Sequence, residues 1–212
     1  MNRTGIDVSY WQGKIDWLTV RNSRAVDFAI IRAGSDMRLD QLFKDNVRGC
    51  AGQGIPFGLY WASYAGTPEE AIAEAKLLYH YAKMCMPVFP LYLDFEEFSL
   101  QNLKKRFPNK TKAIYRQKIR DIITAWGTTI EMQGGYAAFY ANKSFLSNYI
   151  GEDMLKRFDF WLANWTEQAL NNDYRMVQYT NRGKIPGIGS TVDLDICRYD
   201  YPKLIKGRFN GT

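Results

Sequence analysis

Two acidic residues, Asp94 and Glu96, lie in the otherwise apolar stretch Pro90–Glu97. The stretch predicts a short buried strand, on which residues two apart project from the same face with Cα atoms ~6.6 Å apart. A carboxylate among leucines and a phenylalanine is costly unless it is hydrogen-bonded or kept for a purpose. Two carboxyl groups at this spacing can divide acid and base work between them. The pair is therefore the first candidate for a catalytic centre.

The composition is that of an ordinary globular protein. The chain has 212 residues, of which 46% are hydrophobic and 24% charged, so residues 1–212 are expected to form a single domain. The net charge of +6 favours polyanionic partners but does not select one. The densest basic cluster, Lys104–Arg106 with Lys110 and Lys112, is interpreted as a solvated loop and helix start.

Cysteine and histidine usage argues against several kinds of site. The three cysteines are far apart and form no CxxC motif, which predicts neither a disulfide framework nor a zinc site. The single histidine, His80, weakens any Ser-His-Asp proposal. No apolar run of 18 residues and no signal-peptide core are visible, so we expect no stable membrane insertion. Release of the protein from the cell would then occur through lysis, through a holin-like route, or after removal of a leader.

Hydrophobic periodicity predicts five β/α units followed by three strands. The predicted strands are 4–10, 28–33, 57–63, 88–95 and 136–141. The predicted helices are 17–23, 41–51, 68–84 and 114–130, and 144–157 is predicted to be a helical connection. A polar loop is expected after the fourth strand. Strands 159–165, 174–180 and 191–197 follow with gaps too short for a usual crossover helix, which makes parallel pairing doubtful there. The predicted fold is an irregular TIM-like α/β barrel, with a doubly wound open sheet as the alternative.

Four acids fall where a barrel would carry its functional residues, at the carboxyl ends of strands. They are Asp7 on the first strand, Asp94 and Glu96 on the fourth, and Asp193 on the eighth. Since the first and last strands of a closed barrel are neighbours, Asp7 and Asp193 are expected side by side, with the fourth strand facing them. Asp195 shares a strand face with Asp193 and is a competing candidate.

Aromatic residues cluster near the same predicted strand ends. They are Tyr60, Trp61, Tyr64, Tyr140, Trp161 and Trp165. An acid-rich mouth can also hold a divalent metal through oxygen ligands. The scarcity of histidine and the aromatic surroundings favour a sugar-binding groove instead. We therefore expect no metal and no cofactor.

These motifs resemble those of glycoside hydrolase family 25, the muramidase lysozymes of bacteria and phages. The opening stretch Gly5–Trp17 (GIDVSYWQGKIDW) carries the resemblance together with the Asp94-Phe-Glu96 pair. Further matches follow in the family's order, at Phe28–Gly34, Phe57–Tyr60, Phe160–Ala163, Gln178-Tyr179 and Val192–Asp195. The resemblance implies a barrel of five β/α units and three further strands. It also implies hydrolysis of the β-1,4 bond between N-acetylmuramic acid and N-acetylglucosamine in bacterial peptidoglycan.

The resemblance also implies a role for individual residues. Glu96 matches the family's proton donor, Asp94 its partner on the same strand, and Asp7 and Asp193 the two acids that complete the site. The implied sugar contacts are Arg32, Tyr60, Trp61, Tyr140, Trp165 and Gln178. Retention of configuration is implied, by an enzyme nucleophile or by the substrate's own N-acetyl group; we favour the second route, with Asp94 orienting that group.

No cell-wall-binding repeats accompany these motifs, so the basic surface is expected to serve in targeting, and a monomer is expected. Three other readings stay open: a chitinase-type glycosidase, a catalytically silent sugar-binding module, and a nucleic-acid-binding protein. The four acids argue against a silent module. Dispersed basic residues and the lack of a recognised motif argue against nucleic acid.

Overall fold

Eight strands close into a barrel in the computed structural model, which describes residues 2–166 and 174–208. The barrel runs in the order β1-β2-β4-β5-β6-β7-β8-β9 and returns to β1, and the short β3 is added at the end of β2. The strands are β1 Arg3–Val8, β2 Phe28–Ser35, β3 Arg38–Leu39, β4 Phe57–Ala62, β5 Leu91–Asp94, β6 Ala137–Asn142, β7 Asp159–Ala163, β8 Met176–Gly183 and β9 Val192–Cys197. Closure confirms the predicted barrel and excludes the open sheet.

Helices connect the first strands and cover the outside of the barrel. They are α1 Trp17–Ser23, α2 Phe43–Gly52, α3 Pro68–Cys85, α4 Glu97–Arg106, α5 Lys112–Met132, α6 Lys143–Phe145 and α7 Tyr201–Ile205. Local signals set the starts of two of them. The Asp16 side chain accepts from the Thr19 N–H at 3.1 Å and begins α1, and Thr67 caps α3 ahead of Pro68. No helix among the described residues is both long enough and apolar enough to cross a bilayer.

Strand direction in the last third differs from the expectation. β7 and β8 are parallel, so the doubt about parallel pairing is wrong for them. β7 ends at Ala163 and β8 begins at Met176, which leaves about the dozen residues that a crossover needs. β9 is antiparallel to both β8 and β1, so the doubt is confirmed there.

Helix α4 occupies the stretch expected to be a polar loop. Its apolar content is low, but Leu100 and Leu103 are fully buried on one side. The helical connection predicted over 144–157 is confirmed as three short helical pieces. It is divided into α6, a π-helical turn at Leu146–Ile150 and a 3-10 turn at Glu152–Lys156, with Gly151 between the turns at φ 97°.

Aromatic rings fill the centre of the barrel. The Trp161 ring lies 4.6 Å from that of Tyr140, 5.1 Å from that of Tyr92 and 6.2 Å from that of Tyr60, centroid to centroid. Trp161 is only 2% exposed. The barrel is therefore a packed core with a floor beneath its mouth, not a channel.

Candidate active site

An open cavity of about 660 Å³ lies at the mouth of the barrel, above Trp161. The four acids singled out in the sequence, Asp7, Asp94, Glu96 and Asp193, all line it. Nine of the ten predicted site residues line this cavity; besides the acids these are Arg32, Tyr60, Tyr140, Trp165 and Gln178. The fold thus brings together residues separated by most of the chain.

Strand register places the acids. Asp7 and Asp193 are direct cross-strand partners, and Asp94 is the last residue of β5. Glu96 follows as the residue that caps α4. Asp193 reaches the mouth for a different reason from the one expected. It is the second residue of the antiparallel β9, so it lies at the amino end of its strand and not at the carboxyl end.

Burial controls the protonation of this acid cluster. Removal from water raises the pKa of Asp94 well above its usual range, and the charge of Glu96 raises it further. Burial also raises the pKa of Glu96, with a further contribution from Asp193. Burial raises the pKa of Asp193 to about 6. Such a cluster keeps protons at a pH where free carboxylates would have lost them, which a general acid requires.

The amide of Gln178 links three other members of the site. Its Nε2 donates to Asp7 Oδ2 at 2.8 Å, and its Oε1 accepts from Tyr140 Oη and from Trp165 Nε1, both at 3.1 Å. Gln178 is 4% exposed, so these bonds compete little with water. Gln178 therefore orients the Asp7 carboxylate and one indole of the cavity wall.

Asp195, the competing acid, lies beneath the cavity and does not line it. It has no exposed surface, and its Oδ1 accepts from Trp161 Nε1 at 2.8 Å. Burial and then the charge of Asp193 raise its pKa well above the usual range. Asp195 supports the floor of the site and is out of reach of a bound substrate.

Arg32 brings positive charge to the rim. Its Nη2 and Nε lie 2.6 and 2.7 Å from Asp40 Oδ2, and its guanidinium lies 4.7 Å from the centre of the Tyr10 ring. The positive charge of Arg32 moderates the raised pKa of Asp94. Pairing with Asp40 and stacking on Tyr10 fix the guanidinium beside the acids.

Trp61 is the predicted sugar contact that the structure places elsewhere. It has no exposed surface and does not line the cavity. It packs against Gly34 of β2, where an added Cβ would come within 2.6 Å of its ring. Neighbouring residues of a strand face opposite sides, so Tyr60 points to the cavity and Trp61 to the outer layer. Assigning Trp61 to the site was wrong.

Several cavity residues were not predicted. Trp11, which belongs to the opening motif but was not predicted to line the site, is 69% exposed, lines the cavity and stacks on Tyr10 at 4.6 Å. Trp165 is the second exposed indole, at 56%. The polar residues missed on the rim are Asn142, Lys143, Ser144, Asn164 and Asn181. Asn142 ends β6 and Asn164 follows β7, so the strand-end rule applied to polar residues finds both.

No metal centre is apparent: the described parts of the chain contain no group of three or more His, Cys, Asp or Glu side chains arranged to hold an ion. Carboxyl groups with raised pKa values, set in an open barrel mouth with exposed indoles, define a site of the glycoside hydrolase class. The chain belongs to glycosyl hydrolases family 25, whose family model matches residues 6–188.

Solved structures and sequence relatives agree with this placement. The modular autolysin LytC from Streptococcus pneumoniae is similar with a TM-score of 0.79 and 28% identity, over 92% of this chain and 46% of LytC. This chain thus spans about half the length of LytC. The catalytic domain of endolysin ply40 from Listeria monocytogenes bacteriophage P40 shares the fold, with a TM-score of 0.74 and 24% identity over 98% of both chains. The uncharacterized protein YegX of Escherichia coli K12 is 29% identical over 98% of this chain and 70% of its own length.

Proposed function

We propose that this family 25 glycoside hydrolase is a lysozyme that cleaves the β-1,4 bond between N-acetylmuramic acid and N-acetylglucosamine in bacterial peptidoglycan. The observation that carries the proposal is the position of Glu96, a carboxyl group of raised pKa beside Asp94 in an open cavity. A peptidoglycan substrate is further supported by a structure of LytC in complex with a synthetic peptidoglycan ligand. That structure is 26% identical to this chain in sequence, with a TM-score of 0.75.

Glu96 is the proposed general acid. Its raised pKa keeps the proton available for the glycosidic oxygen when the bond to the leaving sugar breaks. Positive charge then develops at the anomeric carbon, as in an oxocarbenium ion. The ionised members of the group Asp7, Asp94 and Asp193 stabilise that charge across the cavity.

Asp94 is the proposed partner of the substrate's acetamido group. Within the described chain, Asp94 Oδ1 is buried and has no hydrogen-bond donor. An acetamido N–H is a donor of the type that this carboxyl group lacks. Held there, the N-acetyl oxygen attacks the anomeric carbon from within the substrate, and water later opens the resulting ring with retention.

Replacing Glu96 tests the general acid. We expect Glu96→Gln to clear purified peptidoglycan ~10²- to 10⁴-fold more slowly, because an amide has no proton of suitable acidity to give. Glu97→Gln is the matched control, since Glu97 is exposed, accepts a hydrogen bond from the Gln101 amide and does not line the cavity. A folded Glu96→Gln protein with near-normal turnover would refute the assignment.

Product analysis tests the bond. Mass spectrometry of digested peptidoglycan should find N-acetylmuramic acid at the new reducing ends. N-acetylglucosamine at those ends, or equal cleavage of chitin oligomers, would indicate a chitinase-type activity instead. Equal rates on glycans with and without the N-acetyl group next to the cleaved bond would exclude substrate assistance.

The proposed site of action is the cell wall, outside the membrane. The catalytic unit is proposed to work as a monomer, because residues of one chain form the cavity that holds all four acids. Light scattering at assay concentration checks the monomer, and a dimer mass there would contradict it.

A further inference from the structure

The backbone that carries Asp94 and Glu96 is fixed by two buried serines. The Glu96 N–H donates to Ser99 Oγ at 3.2 Å, and that hydroxyl donates to the Ser63 carbonyl oxygen at 2.8 Å. The Ser63 N–H in turn donates to the Asp94 carbonyl oxygen at 2.9 Å. Neither serine has any exposed surface, so water does not compete for these bonds.

Glu74 of helix α3 anchors Ser63 from outside the cavity. Its Oε2 accepts from Ser63 Oγ at 2.5 Å and its Oε1 from the Tyr64 N–H at 3.2 Å. Glu74 is 3% exposed and does not line the cavity. A buried carboxyl group is expensive, and burial raises its pKa to about 7. Its two contacts hold Ser63 and the N–H of the next residue, and Ser63 supports the backbone of both acids.

The remainder of helix α4 docks on the same region. Asn102 Nδ2 donates to the Tyr64 carbonyl oxygen at 2.6 Å, and the Arg106 guanidinium makes two bonds to Glu70, at 2.6 and 2.8 Å. Together with Ser99 these residues are spaced three and four apart, so they form one polar face of the helix. Helix α4, which Glu96 caps, is thus bonded along its length to the loop after β4 and to the start of α3.

We propose that Glu74 is a positioning residue for the reaction, acting through Ser63 and Ser99 on the places of Asp94 and Glu96. The inference rests on the roles proposed above for those two acids. A positioning role and a purely structural role differ in what a substitution changes. Loss of positioning lowers kcat, the rate of the bound complex, whereas loss of a purely structural contact lowers only the stability of the fold.

Glu74→Gln and Ser99→Ala in the full chain test the proposal. Glu74→Gln keeps the shape of the side chain, but its amide nitrogen cannot accept one of the two hydrogen bonds. We expect kcat on soluble peptidoglycan fragments to fall ~10- to 100-fold with KM changed less than about threefold, because a displacement of ~1 Å can cost ~10²-fold in rate.

Ser23→Ala is the matched control. The Ser23 hydroxyl also donates to a carbonyl oxygen, that of Val20 at 2.7 Å, and accepts from a backbone N–H, that of Ala25 at 3.2 Å. It lies where α1 leads into β2, at the end of the barrel opposite the cavity. Ser23→Ala should lose thermal stability, as Ser99→Ala does, because both variants remove a hydroxyl that bonds the backbone, but Ser23→Ala should keep the kcat of the wild-type protein.

An activity-independent measurement accompanies the kinetics. The Glu96 N–H ends the hydrogen-bond chain, so its amide signal in a nitrogen–proton NMR spectrum should shift in Glu74→Gln and stay in place in Ser23→Ala. If the wild-type protein cleaves peptidoglycan and folded Glu74→Gln keeps kcat within twofold, the positioning role is overturned. If the wild-type protein does not cleave peptidoglycan, the proposed function fails, and an unchanged Glu96 amide signal overturns the positioning role as well. Should Ser99→Ala fail to fold, Glu74→Gln decides alone.

Discussion

Asp193 gives a prediction in which stability and activity move in opposite directions. Burial raises its pKa from the usual 3.8 to about 6, so the folded protein binds this proton more tightly than the unfolded chain does. The stabilisation from that proton is therefore complete below pH 3.8 and is lost as pH rises through about 6. A rise of this pKa from 3.8 to about 6 corresponds to ~3 kcal/mol of folding free energy.

The amide of Asp193→Asn does not titrate and avoids this cost. We expect the variant to gain up to ~3 kcal/mol in unfolding free energy at pH 7.5 and almost nothing near pH 3.5, while its clearing of peptidoglycan falls. Urea denaturation at the two pH values measures the difference. Asp121→Asn, at an exposed carboxylate of α5, is the control and should change stability by less than ~0.5 kcal/mol.

Two results would refute this reasoning. One is a gain in Asp193→Asn that is the same at pH 3.5 and pH 7.5, because a pH-independent gain cannot come from a titrating group. The other is a variant less stable than wild type at pH 7.5, which would mean that contacts of the ionised carboxylate outweigh its desolvation.

Three further predictions concern the same site. Because Glu96 must be protonated to act and burial raises its pKa, kcat/KM should decline at alkaline pH as Glu96 loses its proton. Asp193→Asn should move this decline to lower pH, because it removes a neighbouring negative charge that raises the pKa of Glu96. A pH profile of kcat/KM for both proteins measures the change, and an alkaline decline at the same pH in both would contradict it. Trp165→Ala should raise KM for glycan fragments about tenfold, because it removes the ring on which a sugar would stack. Trp165→Phe keeps a ring but loses the hydrogen bond to Gln178, so it should raise KM less. Equal KM values for the wild type and both variants would exclude stacking. Trp161→Phe should cost ~1–3 kcal/mol of stability in urea denaturation, since it leaves Asp195 Oδ1 buried without its donor, and an unchanged midpoint would contradict this.

Local chemistry explains which elements the sequence predicts well. Asp16 and Thr67 cap α1 and α3, and their hydrogen bonds lie within three residues along the chain. The apolar runs of β2 and β5 stand out because barrel strands are buried on both faces. By contrast, α4 has few apolar residues beyond Leu100 and Leu103, and much of its docking rests on hydrogen bonds to residues some 36 positions away, which no local pattern reveals.

The candidate site likewise contains residues that the sequence predicts and residues that it does not. Residue type and the strand-end rule bring forward Asp7, Asp94 and Glu96, and the structure gathers all three in one cavity. The same approach misassigned Trp61, because adjacent aromatics on a strand do not reveal which of them faces inward. It missed Trp11, because a tryptophan in a turn has no periodic pattern that would indicate its exposure.

The sequence by itself determined the residue types of the site and the alternation of strands and helices, because both depend on neighbours along the chain. Only the tertiary structure decided that β9 runs antiparallel. This direction pairs Asp193 with Asp7 and buries Asp195 beneath Trp161. It also decided the protonation of the Asp94 and Glu96 pair, since burial by distant strands, and not spacing along the chain, raises the two pKa values.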